Sequence, residues 1–253
     1  MCVPFDSEPP IAPIAGAAVS HDLLELEAAD GNRLAAFAAL PAGEALAGVV
    51  IIPDVRGLFR FYEELSLRFA ENGVAAVAID FLGRTAGVER RGEDFPFSEH
   101  VPHVTAEGVQ ADVAAGLDHL RERSGGDLPL FVVGFCFGGH HAWLSAADQE
   151  IAGAVGFYGK PGRRKEDSPG PAERAGEMRA PILALMGGAD ASIGAEDVAA
   201  FEAALRAAGV EHEIVTYPGA PHSFFDRRFE ENADASADAW RRTLEFIRAH
   251  ARA

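Results

Sequence analysis

One short run limits what this chain can become. Leu130–Val133 is apolar and largely β-branched, and it leads directly into Gly134-Phe135-Cys136-Phe137-Gly138. The spacing is G-x-C-x-G, the pattern of the strand–turn–helix elbow G-x-S-x-G with a thiol in place of the hydroxyl. A nucleophile on so sharp a turn needs small neighbours, because side chains at the flanking positions would collide with adjacent backbone. A helix-compatible run, His140 to Asp148, follows. Its N-terminus would face the sulfur with the positive end of the helix dipole.

The rest of the chain supplies a setting for such an elbow. Its 253 residues suit one α/β domain with a large core, and 48% hydrophobic with 24% charged residues is ordinary for a globular protein. We expect a leader over residues 1–21 and a single domain over 22–253. A net charge of −17 excludes nucleic acid as a partner class, since polyanions need clustered Lys and Arg. The cysteines are Cys2 and Cys136, and Cys2 lies in the N-terminal tail, so a structural disulfide is not expected. No run reaches the roughly 18 apolar residues of a membrane span. The N-terminus has no basic segment ahead of an apolar one. These readings give a cytoplasmic enzyme with no membrane or nucleic-acid partner, and they leave its oligomeric state open.

Periodicity fills in the elements. Leu23 to Glu27 and Leu34 to Leu40 flank Asp30-Gly31, a hairpin signal, and should form antiparallel edge strands. Ala47 to Pro53, Val74 to Ile79, Leu130 to Val133, Ile151 to Tyr158, Pro181 to Met186 and Glu211 to Tyr217 read as buried parallel strands. Helical spacing runs over Phe61 to Glu71 (closed by Gly73), Val104 to Arg123, Ala195 to Ala208 (closed by Gly209) and Ala233 to Ala251. Val109, Val113, Leu117 and Leu120 should share one buried helix face. The stretches 83–103 and 159–176 are the long irregular ones. The order predicts a doubly wound, mostly parallel sheet with helices on both faces.

Ligands of such sheets sit beyond the carboxyl ends of the strands. Asp54, Cys136, Asp190 and His222 all fall at such ends. Nucleophile, acid and histidine occur in the order Cys136, Asp190, His222. His222 can take the thiol proton and later return it to a leaving group, and Asp190 can orient the imidazole and stabilise its charged form. The N–H of Phe137, just after the nucleophile, and that of Val55, on the loop after the third strand, should form an oxyanion hole. Each residue also has a plain alternative. Cys136 would be an inert buried thiol, His222 a loop cap and Asp190 a turn residue, with Asp197 as a competing acid within the helix pattern. A metal site from His140-His141 or from His100 and His103 is rejected, because no Cys, Asp or Glu stands at familiar zinc spacing.

Taken together, Gly134-Phe-Cys-Phe-Gly-Gly139, Met186-Gly-Gly-Ala-Asp190, Pro221-His-Ser-Phe224 and Asp80-Phe-Leu-Gly-Arg84 resemble the dienelactone hydrolase (carboxymethylenebutenolidase) family over roughly residues 22 to 250. The resemblance implies an α/β-hydrolase fold, hydrolysis of a small lactone or ester (an anionic one in the family), and no cofactor. It implies that Arg84 binds a substrate carboxylate, as a guanidinium suits bidentate recognition. It also implies that Asp54, standing where the family carries Glu, restrains the resting thiol, since a carboxylate nearby disfavours the thiolate. The family's second arginine, four residues after the triad histidine, is replaced by Asp226, with Arg227 and Arg228 beside it. Tyr158 and Lys160, near a strand end, should line the pocket. The elbow implies acyl transfer without naming the acyl group, so a general carboxylesterase stays open. A rival of another class is a non-catalytic binding protein or thiol redox sensor on the same fold.

Overall fold

The computed structural model describes residues 6–17, 19–124, 126–166, 168–226 and 228–251. Cys2 and Arg227 lie outside them, as does part of the expected leader. Along the chain run β1 (Val19–Glu27), β2 (Arg33–Pro41), β3 (Ala47–Ile52), α1 (Arg60–Glu71), β4 (Val74–Ile79), α2 (Gly83–Ala86), α3 (Phe97–His100), α4 (Ala106–Ser124), β5 (Leu130–Phe135), α5 (Phe137–Asp148), β6 (Gly153–Phe157), β7 (Ile182–Gly187), α6 (Ala195–Ala208), β8 (His212–Tyr217) and α7 (Ala233–His250).

All eight strands join one sheet in the order β1-β2-β4-β3-β5-β6-β7-β8. β1 pairs antiparallel with β2, and β2 antiparallel with β4. Every pairing from β4 through β8 is parallel. The hairpin expectation holds with one correction. Of the two hairpin strands β1 alone lies at the edge, because β2 passes its inner edge to β4 through Ala36 to Ala39. The burial pattern explains the difference. β2 is buried over most of its length, whereas β1 alternates exposed and half-buried residues, as suits an edge.

The five inner strands β3, β4, β5, β6 and β7 are buried at every position, so both faces of the sheet must be covered. On one face α1 and α7 bring Phe61, Tyr62, Leu65, Phe69, Leu244 and Ile247 against Val49, Ile51, Phe131 and Val133. On the other, Val109, Val113, Leu117 and Leu120 of α4 pack on Val50, Ile52, Val77 and Val132. These are the four positions whose spacing predicts one helix face. Full burial of each such side chain contributes about 1.5–3 kcal/mol. α5 shows no exposed polar face except near its end and lies inside the fold, nearly all of it buried. Its start is therefore fixed from every side, which matters for the residue just before it.

Two helix ends follow the glycine signals. Gly209 caps α6 in the left-handed region at φ 70°. Gly73 (φ +80°) follows α1 and donates its N–H to the Ala70 carbonyl. The stretch 83–103 carries the single-turn helices α2 and α3 and a 3-10 turn over Val101–His103 rather than continuous coil. Among the described residues no helix is long and apolar enough to cross a membrane.

Candidate active site

Cys136 stands between the last residue of β5 and the first of α5, with φ 55° and ψ −109°. A non-glycine residue held at such a positive φ is strained. Three backbone contacts impose it. The Cys136 N–H donates to the Phe157 carbonyl at 2.9 Å. A Cβ at Gly134 would stand 2.0 Å from the Gly138 carbonyl oxygen, and one at Gly138 would stand 2.0 Å from the Ile52 carbonyl oxygen. No side chain fits either place, so the glycines let the strand, the turn and the end of β3 close on one another. Cys136 itself is half-buried and free. The other non-glycine residues with positive φ among those described are Tyr158 (φ 40°) and Ser223 (φ 61°). Both adjoin the same place, one at the end of β6 and one just after His222. Strain in this fold is thus gathered around the thiol.

The loops after β7 and β8 bring in the acid and the histidine. His222 Nδ1 lies 2.6 Å from Asp190 Oδ2. Oδ1 of Asp190 accepts from the Ser192 N–H at 2.8 Å and its hydroxyl at 2.7 Å, so the carboxylate cannot rotate away. The Asp190 side chain is 1% exposed and that of His222 27%. Burial lowers the pKa of His222, but hydrogen bonding to Asp190 and the Cys136 side chain outweighs it, and the imidazole is pushed up to about 10. Asp190 moves the other way. Burial raises it, yet the bonds from His222 and Ser192 hold it below the usual carboxylate value. Cys136, His222 and Asp190 are therefore one coupled group. Asp197, the rival acid, accepts the Gly194 N–H at 3.1 Å and closes the start of α6.

The contact of Gly138 with Ile52 and Pro53 sets the loop after β3 against the N-terminus of α5. That proximity brings the Val55 segment to the elbow. Among the described residues neither the Val55 N–H nor the Phe137 N–H has a hydrogen-bond partner. The first turn of a helix leaves such donors free.

Two expected residues meet other partners. Asp54 was expected at the thiol. Its carboxylate is instead gripped by Arg56, with Nε 3.0 Å from Oδ1, the terminal nitrogen 2.6 Å from Oδ2, and the Arg56 N–H 2.9 Å from Oδ1. Both side chains are buried, at 0% and 1% exposure. A carboxylate sealed from water requires such a counter-charge, and an aspartate bends back to its own backbone two residues on. That turn chemistry was the available signal for Arg56, which the motif reading missed. Arg84, expected to meet a substrate carboxylate, is paired with Asp112 at 2.8 Å and Asp30 at 2.5 Å and also donates to the Gly108 carbonyl. It thereby ties the β1–β2 hairpin to α4.

Tyr158 is fully buried with its ring 5.1 Å from that of His222, and its hydroxyl has no hydrogen-bond partner among the described residues. The Lys160 side chain is exposed, while its carbonyl accepts from His140 Nδ1 at 2.7 Å. Asp226 is buried and acts electrostatically on Arg56. His141, weighed above only as a metal ligand, and Arg164, which the motifs did not single out, line a cavity beside Phe137. Among the described residues no group of three His, Cys, Asp or Glu side chains is placed to hold a metal ion.

Comparison with known proteins agrees with this architecture. The model of the dienelactone hydrolase family matches residues 34–251. A relative from Escherichia coli K12, named "Putative carboxymethylenebutenolidase", is 34% identical over 228 residues, covering 86% of this chain and 83% of its own. The solved structure of a Klebsiella pneumoniae protein titled as a dienelactone hydrolase superposes with a TM-score of 0.79 at 30% identity, over 91% of this chain and 98% of that one. The acylaminoacyl peptidase of Pyrococcus horikoshii (TM-score 0.73, 15% identity, 92% of this chain and 42% of that one) shares the fold.

Proposed function

The chain belongs to the dienelactone hydrolase family, whose members hydrolyse ester bonds on the α/β-hydrolase fold, and we propose that it opens small lactones and esters through a thioester on Cys136. The observation that carries this reading is the His222–Asp190 bond of 2.6 Å at the elbow, in a histidine whose charge also feels the Cys136 sulfur.

The sulfur of Cys136 attacks the substrate carbonyl, and the carbonyl π electrons move to oxygen. That oxyanion is received by the Phe137 and Val55 N–H groups, whose positions next to the thiol cost no reorganisation during the reaction. The tetrahedral centre collapses, the C–O bond breaks, and the leaving oxygen takes the proton held by His222. The neutral imidazole then removes a proton from water. The resulting hydroxide attacks the thioester, and its collapse frees the acid and restores the sulfur with His222 charged. Asp190 keeps Nδ1 protonated so that Nε2 is the nitrogen that works. In a lactone the leaving oxygen stays tethered to the acyl group until that second step.

Asp54 has a different part from the one its position suggests. With its oxygens held by Arg56 it braces the turn that carries the Val55 N–H, so it is a positioning residue. Tyr158 walls the histidine on the side of β6, and Lys160 acts through its carbonyl on His140. The test is Cys136→Ala assayed on 4-nitrophenyl acetate and a panel of lactones. Turnover should fall to background with circular dichroism unchanged. Full turnover in that variant refutes the nucleophile.

A further inference from the structure

His140 stands one helical turn along α5 from the nucleophile, its N–H reaching back to the Cys136 carbonyl at 3.3 Å. The residue lines a cavity of about 280 Å³, which is also walled by the 101–107 stretch, Phe137, His141, Arg164 and Lys165. That volume is at the small end for ligand sites, and mixed walls with a few placed polar groups are what such a site requires. Phe137 carries the proposed oxyanion donor and also belongs to the cavity wall. A substrate carbonyl seated on that N–H therefore has the cavity as one direction in which its substituents extend.

Burial and one bond fix the chemistry of His140. The residue is 3% exposed, and its Nδ1 lies 2.7 Å from the Lys160 carbonyl oxygen. A carbonyl only accepts, so Nδ1 carries the proton. Burial pulls the imidazole down to about 4 against that bond, and the charges of Arg164 and Lys160 pull the same way. The ring is neutral near pH 7, and Nε2 holds a lone pair without a proton. Nε2 has no hydrogen-bond partner among the described residues. Unlike Nδ1 of the neighbouring His141, it is not sealed off by protein atoms, and the space it borders is the cavity. An acceptor withdrawn from bulk water and left unpaired costs free energy that a ligand's donor recovers.

The surroundings select the kind of donor. Arg164 lies 4.7 Å over the Phe137 ring, and both it and Lys160 act electrostatically on His140. Lys165 Nζ donates to the carbonyls of Pro102 and Val104, both at 2.9 Å, and so adds a third cation to the same region. An ammonium group entering here meets like charge, whereas a neutral hydroxyl does not. A carbonyl or ether oxygen brings no proton and faces the Nε2 lone pair. Glu107, exposed on the first turn of α4, is the cavity's carboxylate and a rival acceptor.

We propose that His140 Nε2 accepts a hydrogen bond from a hydroxyl group of the substrate, so that lactones carrying a free hydroxyl beside the ester are preferred over alkyl lactones of the same size. A site built on one fixed acceptor rejects the analogue that lacks the donor, because the acceptor then stays buried and unpaired. This deepens the Cys136 reading and rests on it for where the lactone sits. The bond touches substrate away from the reacting atoms, so His140 sets specificity, and the Lys160 carbonyl positions it.

The test pairs γ-hydroxymethyl-γ-butyrolactone with γ-ethyl-γ-butyrolactone, which differ by a hydroxyl in place of a methyl. In the wild type kcat/KM should favour the hydroxymethyl lactone by about five- to tenfold, the scale of one net hydrogen bond. His140→Asn keeps an N–H for the Lys160 carbonyl and deletes Nε2, and it should bring the ratio to about one. His140→Phe, which fills the same space without an acceptor, should do the same. His140→Gln returns an acceptor near the Nε2 position and should recover part of the preference, and Glu107→Gln should leave it in place. No preference in the wild type, a preference that survives in His140→Asn and His140→Phe, or one that follows Glu107 overturns the assignment. Titration of both lactones into Cys136→Ala, followed by saturation-transfer NMR with and without His140→Asn, reads the site without turnover. Tighter binding of the hydroxymethyl lactone that is lost with His140→Asn supports the site even if another residue is the nucleophile. Equal binding of the two lactones to Cys136→Ala overturns the site even if Cys136 is the nucleophile.

Discussion

Arg56 closes a two-point grip on Asp54 at the base of the elbow, 2.6 Å from its Oδ2, with both side chains sealed from water. The Asp54 carboxylate is thereby held to the turn that it begins. Arg56→Met should strand a buried charge and destabilise the fold by about 3–5 kcal/mol. The double variant Asp54→Asn/Arg56→Met should recover much of that loss. Urea unfolding measures both, and a single variant as stable as the wild type would show the pair to be dispensable.

Gly138 sets the distance between β3 and the start of α5, since a Cβ there meets the Ile52 oxygen at 2.0 Å. Gly138→Ala should push the Val55 and Phe137 donors apart. We expect kcat on 4-nitrophenyl acetate to fall by about 100-fold, the scale for losing one oxyanion donor, in whatever fraction folds. Normal kcat in a soluble variant would show that the two segments need not touch.

The pH dependence follows from His222. Its pKa is pushed up to about 10, against burial, by Asp190 and the Cys136 side chain. A histidine needed in its charged form to protonate the leaving oxygen should keep kcat/KM high through neutral pH, with the alkaline limb near pH 10. Asp190→Asn removes one of the raising partners, so the limb should move a unit or more toward neutral. An unmoved limb would mean that another group sets it.

Arg84 is paired with Asp30 and Asp112, and stability against pH can read those pairs. Burial pushes the Asp112 carboxyl up to about 6, with Arg84 and Asn32 pulling it back. Because the folded value exceeds the ordinary aspartate value of 3.8, this group's contribution is fully present below that value and lost as pH rises through about 6. Arg84→Met lets the folded value climb further. The melting temperature should therefore drop more at pH 8 than at pH 5. An equal drop at both would assign the loss to packing.

Much of this was readable in the chain. The parallel strands showed as unbroken β-branched runs because both sheet faces are covered, and α4 showed its core face at Val109, Val113, Leu117 and Leu120. The elbow was legible because sterics leave only glycine at Gly134 and Gly138. The Asp190–His222 pairing was anticipated from strand ends and chain order. Partner choice among charges was not legible. Asp54 and Arg84 sit at positions that suggest substrate chemistry, but ion pairs across 28 residues (Arg84 with Asp112) or within a turn (Arg56 with Asp54) depend on packing that spacing does not encode. Arg164 carries no motif, and His141 was weighed only as half of a histidine pair. Arg164 stands out only once it is seen over the Phe137 ring, and His141 only once it is seen in the cavity wall beside it.

In the proposed reaction the acyl group passes through the Cys136 sulfur. Rapid mixing of the enzyme with 4-nitrophenyl acetate, an acid quench within the burst, and peptide mass spectrometry test it most directly. One acetyl group is expected, on the peptide that carries Cys136, with none in Cys136→Ala. Steady turnover with that peptide unmodified throughout, and an acetyl group on another side chain, would contradict it.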